Sequence, residues 1–94
     1  MSYVVVAYDI SSNNRRSIAA EKLIGLGFQR IQKSVYMSRG GYTLAKEAYR
    51  ALLRVIDKST DSIVVVVVPK EYVDKILMFP ADKGSVGVDR SETI

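Results

Sequence analysis

The order of strand-like and helix-like segments predicts an α+β domain, in which two helices cover one face of an antiparallel sheet. Runs of β-favouring apolar residues at 2–10 and 63–68 predict buried strands. Between them lie two segments with apolar residues at helical spacing, and the length of 94 residues allows one modest core.

The predicted elements follow from apolar periodicity and from the residues that interrupt it. In chain order they are a strand at 2–10, a helix at 14–26, a strand at 28–37, a helix at 43–57, a strand at 63–68, a helical turn at 70–73 and a short edge strand at 75–79.

Local signals support the boundaries of the first three elements. Ser12 or Asn13 can cap the first helix, which is expected to end at Gly25 and Gly27. The second strand is polar and basic, and a bend is expected near Ser34.

The second helix and the last long strand have equally clear limits. Gly40 and Gly41 break the chain into a turn, and Thr43 opens a helix that carries Leu52 on its apolar side. The β-branched strand that follows is stopped by Pro69.

This order of elements is the β-α-β-β-α-β pattern of a ferredoxin-like fold. The strands at 2–10 and 63–68 are apolar on both faces, but the two helices cover only one. We therefore predict a homodimer through the open sheet face; a tail folded over that face is the alternative. Residues 1–80 are assigned to the domain, and residues 81–94 to a C-terminal tail that contacts a partner or the second copy.

Composition excludes several classes of site. The chain has no cysteine and no histidine, which excludes disulfides, thiolate sites, a histidine base and a histidine-ligated zinc. Hydrolytic chemistry would then rest on a carboxylate with a hard metal, or on a rarer Lys, Tyr or Ser arrangement. The opening apolar run is too short for a signal peptide and 64–68 is too short to span a bilayer, so we expect a cytoplasmic protein without membrane contact.

Charge is distributed unevenly along the chain. Ten Lys or Arg and four Asp or Glu precede residue 59, a net charge of +6, whereas the remainder has a net charge of −2. On the second helix Lys46, Arg50, Arg54 and Lys58 follow one another at steps of four. Such a ridge can track a nucleic-acid backbone without reading sequence, and a solvated helix face is the alternative.

Tyrosines are interpreted as core or boundary residues rather than as a base-stacking surface. The sheet of a ferredoxin-like RNA-binding module carries a glycine-aromatic signature, which this sequence lacks. The interpretation covers Tyr3, Tyr8, Tyr42, Tyr49 and Tyr72.

A carboxylate stands at the end of the first predicted strand. An unpaired buried carboxylate is unfavourable, so Asp9 is expected to have a partner: a backbone N–H, an arginine or a metal ion. Capping of the next helix and pairing with Arg16 are the structural alternatives.

Several motifs at and beyond this strand end resemble those of one known family, over residues 2–80. They are Tyr8-Asp9-Ile10, Arg16, Gly27 before Phe28, Arg30-Ile31-Gln32-x-Ser34-Val35-Tyr36, and Val68-Pro69. With these motifs the chain resembles the CRISPR-associated protein-two family.

The resemblance implies a homodimer that takes part in acquiring CRISPR spacers beside a larger integrase subunit. It implies that Asp9 is a metal ligand, that Arg16 and Arg30 contact or orient phosphate, and that Ser34 and Tyr36 shape the catalytic site. A two-fold axis near the strand ends would bring two Asp9 side chains together, and a bridging Mg²⁺ would relieve their repulsion.

The sequence departs from the family at one position. A second basic residue is common one helical step past Arg16, and here it is Ile18. Arg15 could substitute by proximity and is assigned to nucleic-acid binding together with the ridge; a solvated side chain is the alternative.

Three functions are compatible with these residues. The first is a Mg²⁺-dependent endonuclease on phosphodiesters, with RNA preferred to DNA and Asp9 of both chains as the metal centre. The second is a non-catalytic scaffold that holds duplex DNA along paired basic ridges and binds the integrase through its C-terminal strand and tail. The third is a toxin-like small RNase of the same fold without a CRISPR context.

Overall fold

The computed structural model describes residues 1–80, and within them it contains a four-stranded sheet and three helices. In chain order the elements are β1 (Ser2–Asp9), α1 (Asn13–Gly25), β2 (Gln29–Gln32), β3 (Val35–Arg39), α2 (Tyr42–Leu53), β4 (Ser62–Pro69) and α3 (Lys70–Val73). The tail assigned to residues 81–94 lies outside the described residues.

The sheet is antiparallel and has the strand order β2-β3-β1-β4. In the register, Tyr3 of β1 lies opposite Arg39 of β3 on one side and opposite Val68 of β4 on the other. Both long helices pack against one face of this sheet through a single core that includes Val6, Leu23 and Leu52. The predicted α+β, ferredoxin-like architecture is therefore confirmed.

The first helix begins as its sequence predicts. Ser12 is the N-cap residue, and its hydroxyl accepts a hydrogen bond from the Arg15 N–H at 3.2 Å. That contact satisfies one of the backbone donors that the first turn of a helix leaves without a partner.

The second helix is shorter than predicted. It ends at Leu53 rather than near Asp57, and the N–H groups of Val55 and Ile56 both donate to the Leu52 carbonyl. The Asp57 N–H instead donates to the Asp61 carboxylate at 2.9 Å. Because this donor is taken by a side chain, the helical hydrogen-bond ladder does not continue into the turn.

The bend predicted near Ser34 is a complete break between β2 and β3. Ser34 has a φ of 64°, in the left-handed region that few residues other than glycine adopt. Its carbonyl accepts a hydrogen bond from the Tyr8 N–H at 3.1 Å, which ties this turn to the end of β1.

The prediction of a short edge strand at 75–79 is wrong. The N–H groups of Lys75 and Ile76 donate back to Tyr72 and Val73 in turns that follow α3, so they are not available to a sheet ladder. The apolar residues after them are largely exposed, with Leu77 at 75% and Phe79 at 79%.

Within residues 1–80, no element covers the sheet face opposite the helices, and this face is apolar. Val4 and Val6 of β1 are fully buried under the helices, whereas Val64 and Val66 of β4, on the other face, are 56% and 46% exposed. Residues 1–80 contain no helix that is both long and apolar enough to cross a bilayer.

Candidate functional site

An open cleft of about 410 Å³ lies on the helix side of the sheet, where β1 ends and β2 turns into β3. Four of the five predicted catalytic residues line it together: Arg16, Arg30, Ser34 and Tyr36. The rest of the lining consists of Tyr8, Asn13, Ser17, Ala20 and Lys33. Of the residues 1–80 that line the cleft, three are cations and none is an acid, so its chemistry suits an anion such as phosphate.

Two stacked tyrosines form one wall of the cleft. The ring centroids of Tyr8 and Tyr36 are 5.9 Å apart and their planes meet at 21°. Burial raises the pKa of Tyr8, and its hydrogen bond to Tyr36 raises it further, while the charges of Arg30 and Arg16 oppose this. The Tyr8 hydroxyl therefore stays protonated at neutral pH.

Arg16 is held in place by the strand end. Its Nη1 donates to the carbonyl oxygen of Ile10 at 2.7 Å. Since Ile10 directly follows Asp9, this bond joins the first turn of α1 to the end of β1. The guanidinium keeps further donors that can face a phosphate in the cleft.

Asp9 does not line the same cleft as the arginines. Successive side chains of a strand point to opposite faces, and Asp9 shares the open face with Ala7, while Tyr8 belongs to the helix side. Asp9 lines a second open cleft of about 360 Å³ with Ala7, Tyr8, Ser62, Ile63 and Val64. Tyr8 lines both clefts, so they meet at this end of the sheet.

The Asp9 carboxylate is exposed, which corrects the expectation of a buried strand-end acid. Within residues 1–80 it has no hydrogen-bond or ion-pair partner. Asp9 therefore neither caps α1 nor pairs with Arg16. Ser12 caps α1, and Arg16 donates its hydrogen bond to the carbonyl of Ile10. A solvated carboxylate at this position is available to a ligand.

Residues 1–80 contain no cluster of three protein metal ligands around Asp9. Among the described residues no group of three or more acidic, histidine or cysteine side chains could hold an ion. A hard cation such as Mg²⁺ can be bound through one or two carboxylates with several retained waters. Asp9 has the right donor chemistry for one such carboxylate.

Sequence reasoning missed the residue that organises this end of the molecule. The Asp61 side chain is fully covered, and Arg15 donates to it from Nε at 3.0 Å and from Nη2 at 3.3 Å. It also accepts from the N–H of Ser11 at 3.1 Å and the N–H of Asp57 at 2.9 Å. Asp61 therefore ties the β1–α1 loop to the start of β4, next to Asp9. The sequence places it only in a polar turn, without a motif.

Replacing Asp61 with asparagine is expected to lower the stability of the fold at neutral pH. The Arg15 hydrogen bonds hold the pKa of Asp61 well below its ordinary value of 3.8, so its contribution is complete above that value and disappears as the pH falls further. The difference in unfolding free energy between wild type and Asp61→Asn, measured with urea, should shrink below pH 3.8. Glu21→Gln on α1 is the matched control, and a difference that stayed constant with pH would contradict this role.

The structure places the four residues of the predicted basic ridge on and beyond α2. Lys46 and Arg50 are exposed on α2 and Arg54 is its C-cap residue, but Lys58 lies in the turn beyond the helix. Arg15, the other residue assigned to nucleic-acid binding, is ion-paired with Asp61. Its guanidinium already has a structural role at the strand end.

Comparisons with known proteins agree on one family. The model of the CRISPR associated protein Cas2 family matches residues 1–76. A CRISPR-associated endoribonuclease Cas2 from Aeropyrum pernix is 55% identical over 73 residues, which are 78% of this chain and 79% of that protein. A CRISPR-associated endonuclease Cas1/endonuclease Cas2 fusion from Thermoproteus tenax is 36% identical over 78 residues, which are 83% of this chain and 30% of the fusion.

Among solved structures, Cas2 of Streptococcus pyogenes superimposes with a TM-score of 0.69 at 23% identity. The match covers 81% of this chain and 96% of that one. At this identity the similarity shows a shared fold.

Proposed function

The chain belongs to the CRISPR-associated protein Cas2 family, and on this premise we propose that it is a metal-dependent endoribonuclease of CRISPR spacer acquisition, acting in the cytoplasm. The observation that carries the proposal is the exposed Asp9 carboxylate beside a cleft lined by Arg16, Arg30 and Lys33. The curated relatives from Aeropyrum pernix, Pyrobaculum aerophilum and Thermofilum pendens are named endoribonucleases, which supports RNA as the substrate.

A homodimer through the open sheet face would complete the site. Asp9 lies on the same face as the exposed Val64 and Val66, and apolar surface of this kind favours burial against a second copy. A two-fold axis passing near the end of β1 would place the two Asp9 carboxylates opposite each other.

The two clefts would have different roles in the reaction. Asp9 of each chain would hold Mg²⁺, which when bound supplies an activated water and stabilises negative charge. Arg16, Arg30 and Lys33 bind and orient the phosphates of the RNA and offset charge that develops at the reacting phosphate. Ser34 and Tyr36 shape the cleft, and Tyr8 lies where the two clefts meet.

The direct test is cleavage of labelled single-stranded RNA and of duplex DNA by the purified wild-type protein. We expect RNA to be cut in the presence of Mg²⁺ and both substrates to remain intact when a chelator is added. Cleavage that continued in chelator would contradict the metal-dependent mechanism. Intact RNA at every metal concentration would contradict the nuclease.

A second function is favoured by a separate observation. One relative is a fusion of Cas1 with Cas2, and this chain exposes Lys46, Arg50 and Arg54 along α2. As a scaffold, the dimer would hold duplex DNA along its two ridges and would bind the integrase subunit. Phosphate contacts made by a straight row of cations are independent of sequence.

Exchange of Lys46, Arg50 and Arg54 for glutamate is expected to abolish duplex binding in the scaffold model. Because each phosphate contact releases counterions and the dimer presents the three cations twice, any binding that persists should lose roughly five units of slope in its salt dependence. Fluorescence anisotropy over a salt series measures both quantities. The triple variant Lys22→Glu, Lys70→Glu and Lys75→Glu changes the net charge equally at other exposed positions. Equal losses in the two triple variants would contradict a specific ridge.

A further inference from the structure

The Asp9 carboxylate takes its position from the backbone that carries it, because its side chain has no partner within residues 1–80. Before this point the backbone is held by the sheet, in which Asp9 is paired with Ser62 at the start of β4. After it, Ile10 is buried and the chain leaves the sheet into the β1–α1 loop. The contacts that hold this loop therefore determine how precisely the carboxylate is placed.

Asp61 holds the loop at Ser11, two residues after Asp9. One carboxylate oxygen of Asp61 accepts hydrogen bonds from the N–H and from the hydroxyl of Ser11, at 3.1 and 3.2 Å. The other oxygen accepts from Nε of Arg15 at 3.0 Å and from the N–H of Asp57 at 2.9 Å. These contacts meet at a side chain that is fully covered and lies directly before β4.

Asp61 and Arg15 act on the strand end from outside both clefts. Neither side chain is among the residues that line the cleft of the arginines or the cleft of Asp9. A substitution at either position leaves the Asp9 carboxylate and the cations of the cleft in the sequence. An effect on the reaction would therefore have to pass through the placement of the loop.

We propose that Asp61, held by Arg15, is a positioning residue for the Asp9 carboxylate. The proposal rests on the proposed nuclease and extends it to a side chain that contacts neither metal nor RNA. Because Asp9 of both chains would bind one ion, a displaced strand end would disturb the metal centre twice. Replacing a group that orients a metal ligand commonly lowers metal affinity or activity by roughly 10- to 100-fold.

The test compares the kinetic constants of Asp61→Asn and wild type under conditions in which urea unfolding shows both to be folded. The amide keeps the size of the side chain but loses one acceptor oxygen and the charge that attracts Arg15. We expect kcat to fall roughly tenfold or more and the Mg²⁺ concentration for half-maximal rate to rise, while KM for RNA stays within about twofold. KM is retained because Arg16, Arg30 and Lys33 still bind the phosphates.

Two further variants separate positioning from a simple loss of stability. Ser2→Ala removes the hydrogen bond of 2.7 Å from the Ser2 hydroxyl to the Gly40 carbonyl, at the opposite end of β1, and should keep the wild-type kcat. Arg15→Lys keeps the charge but loses the guanidinium fork, so its kcat should lie between those of wild type and Asp61→Asn. An equal loss of kcat in Ser2→Ala and Asp61→Asn would overturn the proposal. An unchanged kcat in Asp61→Asn, or an effect confined to KM, would overturn it as well.

A measurement that needs no cleavage tests the placement itself. Nitrogen-15 relaxation in chelator gives the order parameters of the Asp9 and Ile10 amides. We expect Asp61→Asn to lower them and Ser2→Ala to leave them at the wild-type values. Unchanged order parameters in Asp61→Asn would overturn the proposal even if the wild type cuts RNA. If the wild type cuts no RNA, the proposed function fails, and the order parameters still show whether Asp61 places the strand end.

Discussion

Substitution of Asp9 with asparagine is expected to abolish metal-dependent RNA cleavage while leaving the fold intact. The carboxylate is exposed and has no partner within residues 1–80, so its loss removes no stabilising contact. A neutral amide oxygen is a much weaker ligand for a hard cation than a carboxylate, which removes the metal centre. Cleavage rates with Mg²⁺ and urea unfolding curves of the same preparations measure the two effects.

Glu21→Gln is the matched control for this substitution. It also converts an exposed acid to its amide, but it lies on α1 away from both clefts. We expect it to cleave RNA at the wild-type rate. Cleavage by Asp9→Asn at the rate of the control would show that Asp9 takes no part in the reaction. That result would favour the scaffold function.

Replacement of Arg30 by glutamine is expected to lower kcat/KM for RNA by roughly 10- to 100-fold. A charge-assisted hydrogen bond to phosphate is worth about 1.5–3 kcal/mol, and glutamine is shorter than arginine and carries no charge. Arg30 is exposed but takes part in a contact, and urea unfolding of the variant measures what that contact contributes to the stability of the domain. Steady-state kinetics measure the effect on kcat/KM, and RNA affinity measured in chelator gives the part of that effect that comes from binding alone.

Lys22→Gln provides the comparison for Arg30, since it removes one exposed cation outside the cleft. A loss confined to Arg30→Gln would assign the effect to the cleft. Equal small losses of kcat/KM in both variants would mean that the net charge of the protein attracts the RNA. The cleft would then have no specific role.

The fold could be predicted because its strongest signals are local. Apolar runs, the Ser12 cap and the glycines near 40 define elements that tertiary contacts do not override. The end of α2 could not be predicted, because it depends on the Asp57 N–H bonding to Asp61. The strand at 75–79 failed for a similar reason: apolar residues favour a strand only where a sheet edge accepts them.

The site was predictable only in part. Arg16, Arg30, Ser34 and Tyr36 were identified through a resemblance, and the structure brings them to one cleft. Asp9 lies apart from that cleft because successive side chains of β1 point to opposite faces of the sheet and the helices cover only one of them. Which face the helices cover cannot be read from the sequence. Asp61 carries no motif, and its role depends on contacts between distant segments. The interpretation of Tyr42, Tyr49 and Tyr72 as core or boundary residues is wrong, because these side chains are 69%, 46% and 57% exposed.

The central claim is that two Asp9 carboxylates, one from each chain of a dimer, form the metal centre of a nuclease. It is tested most directly by mixing wild-type and Asp9→Asn chains, allowing them to exchange, and measuring Mg²⁺-dependent RNA cleavage against composition. If both carboxylates are required, activity falls as the square of the wild-type fraction, because only wild-type pairs are active. Activity proportional to the wild-type fraction would mean that each chain acts alone, and would contradict a shared metal centre.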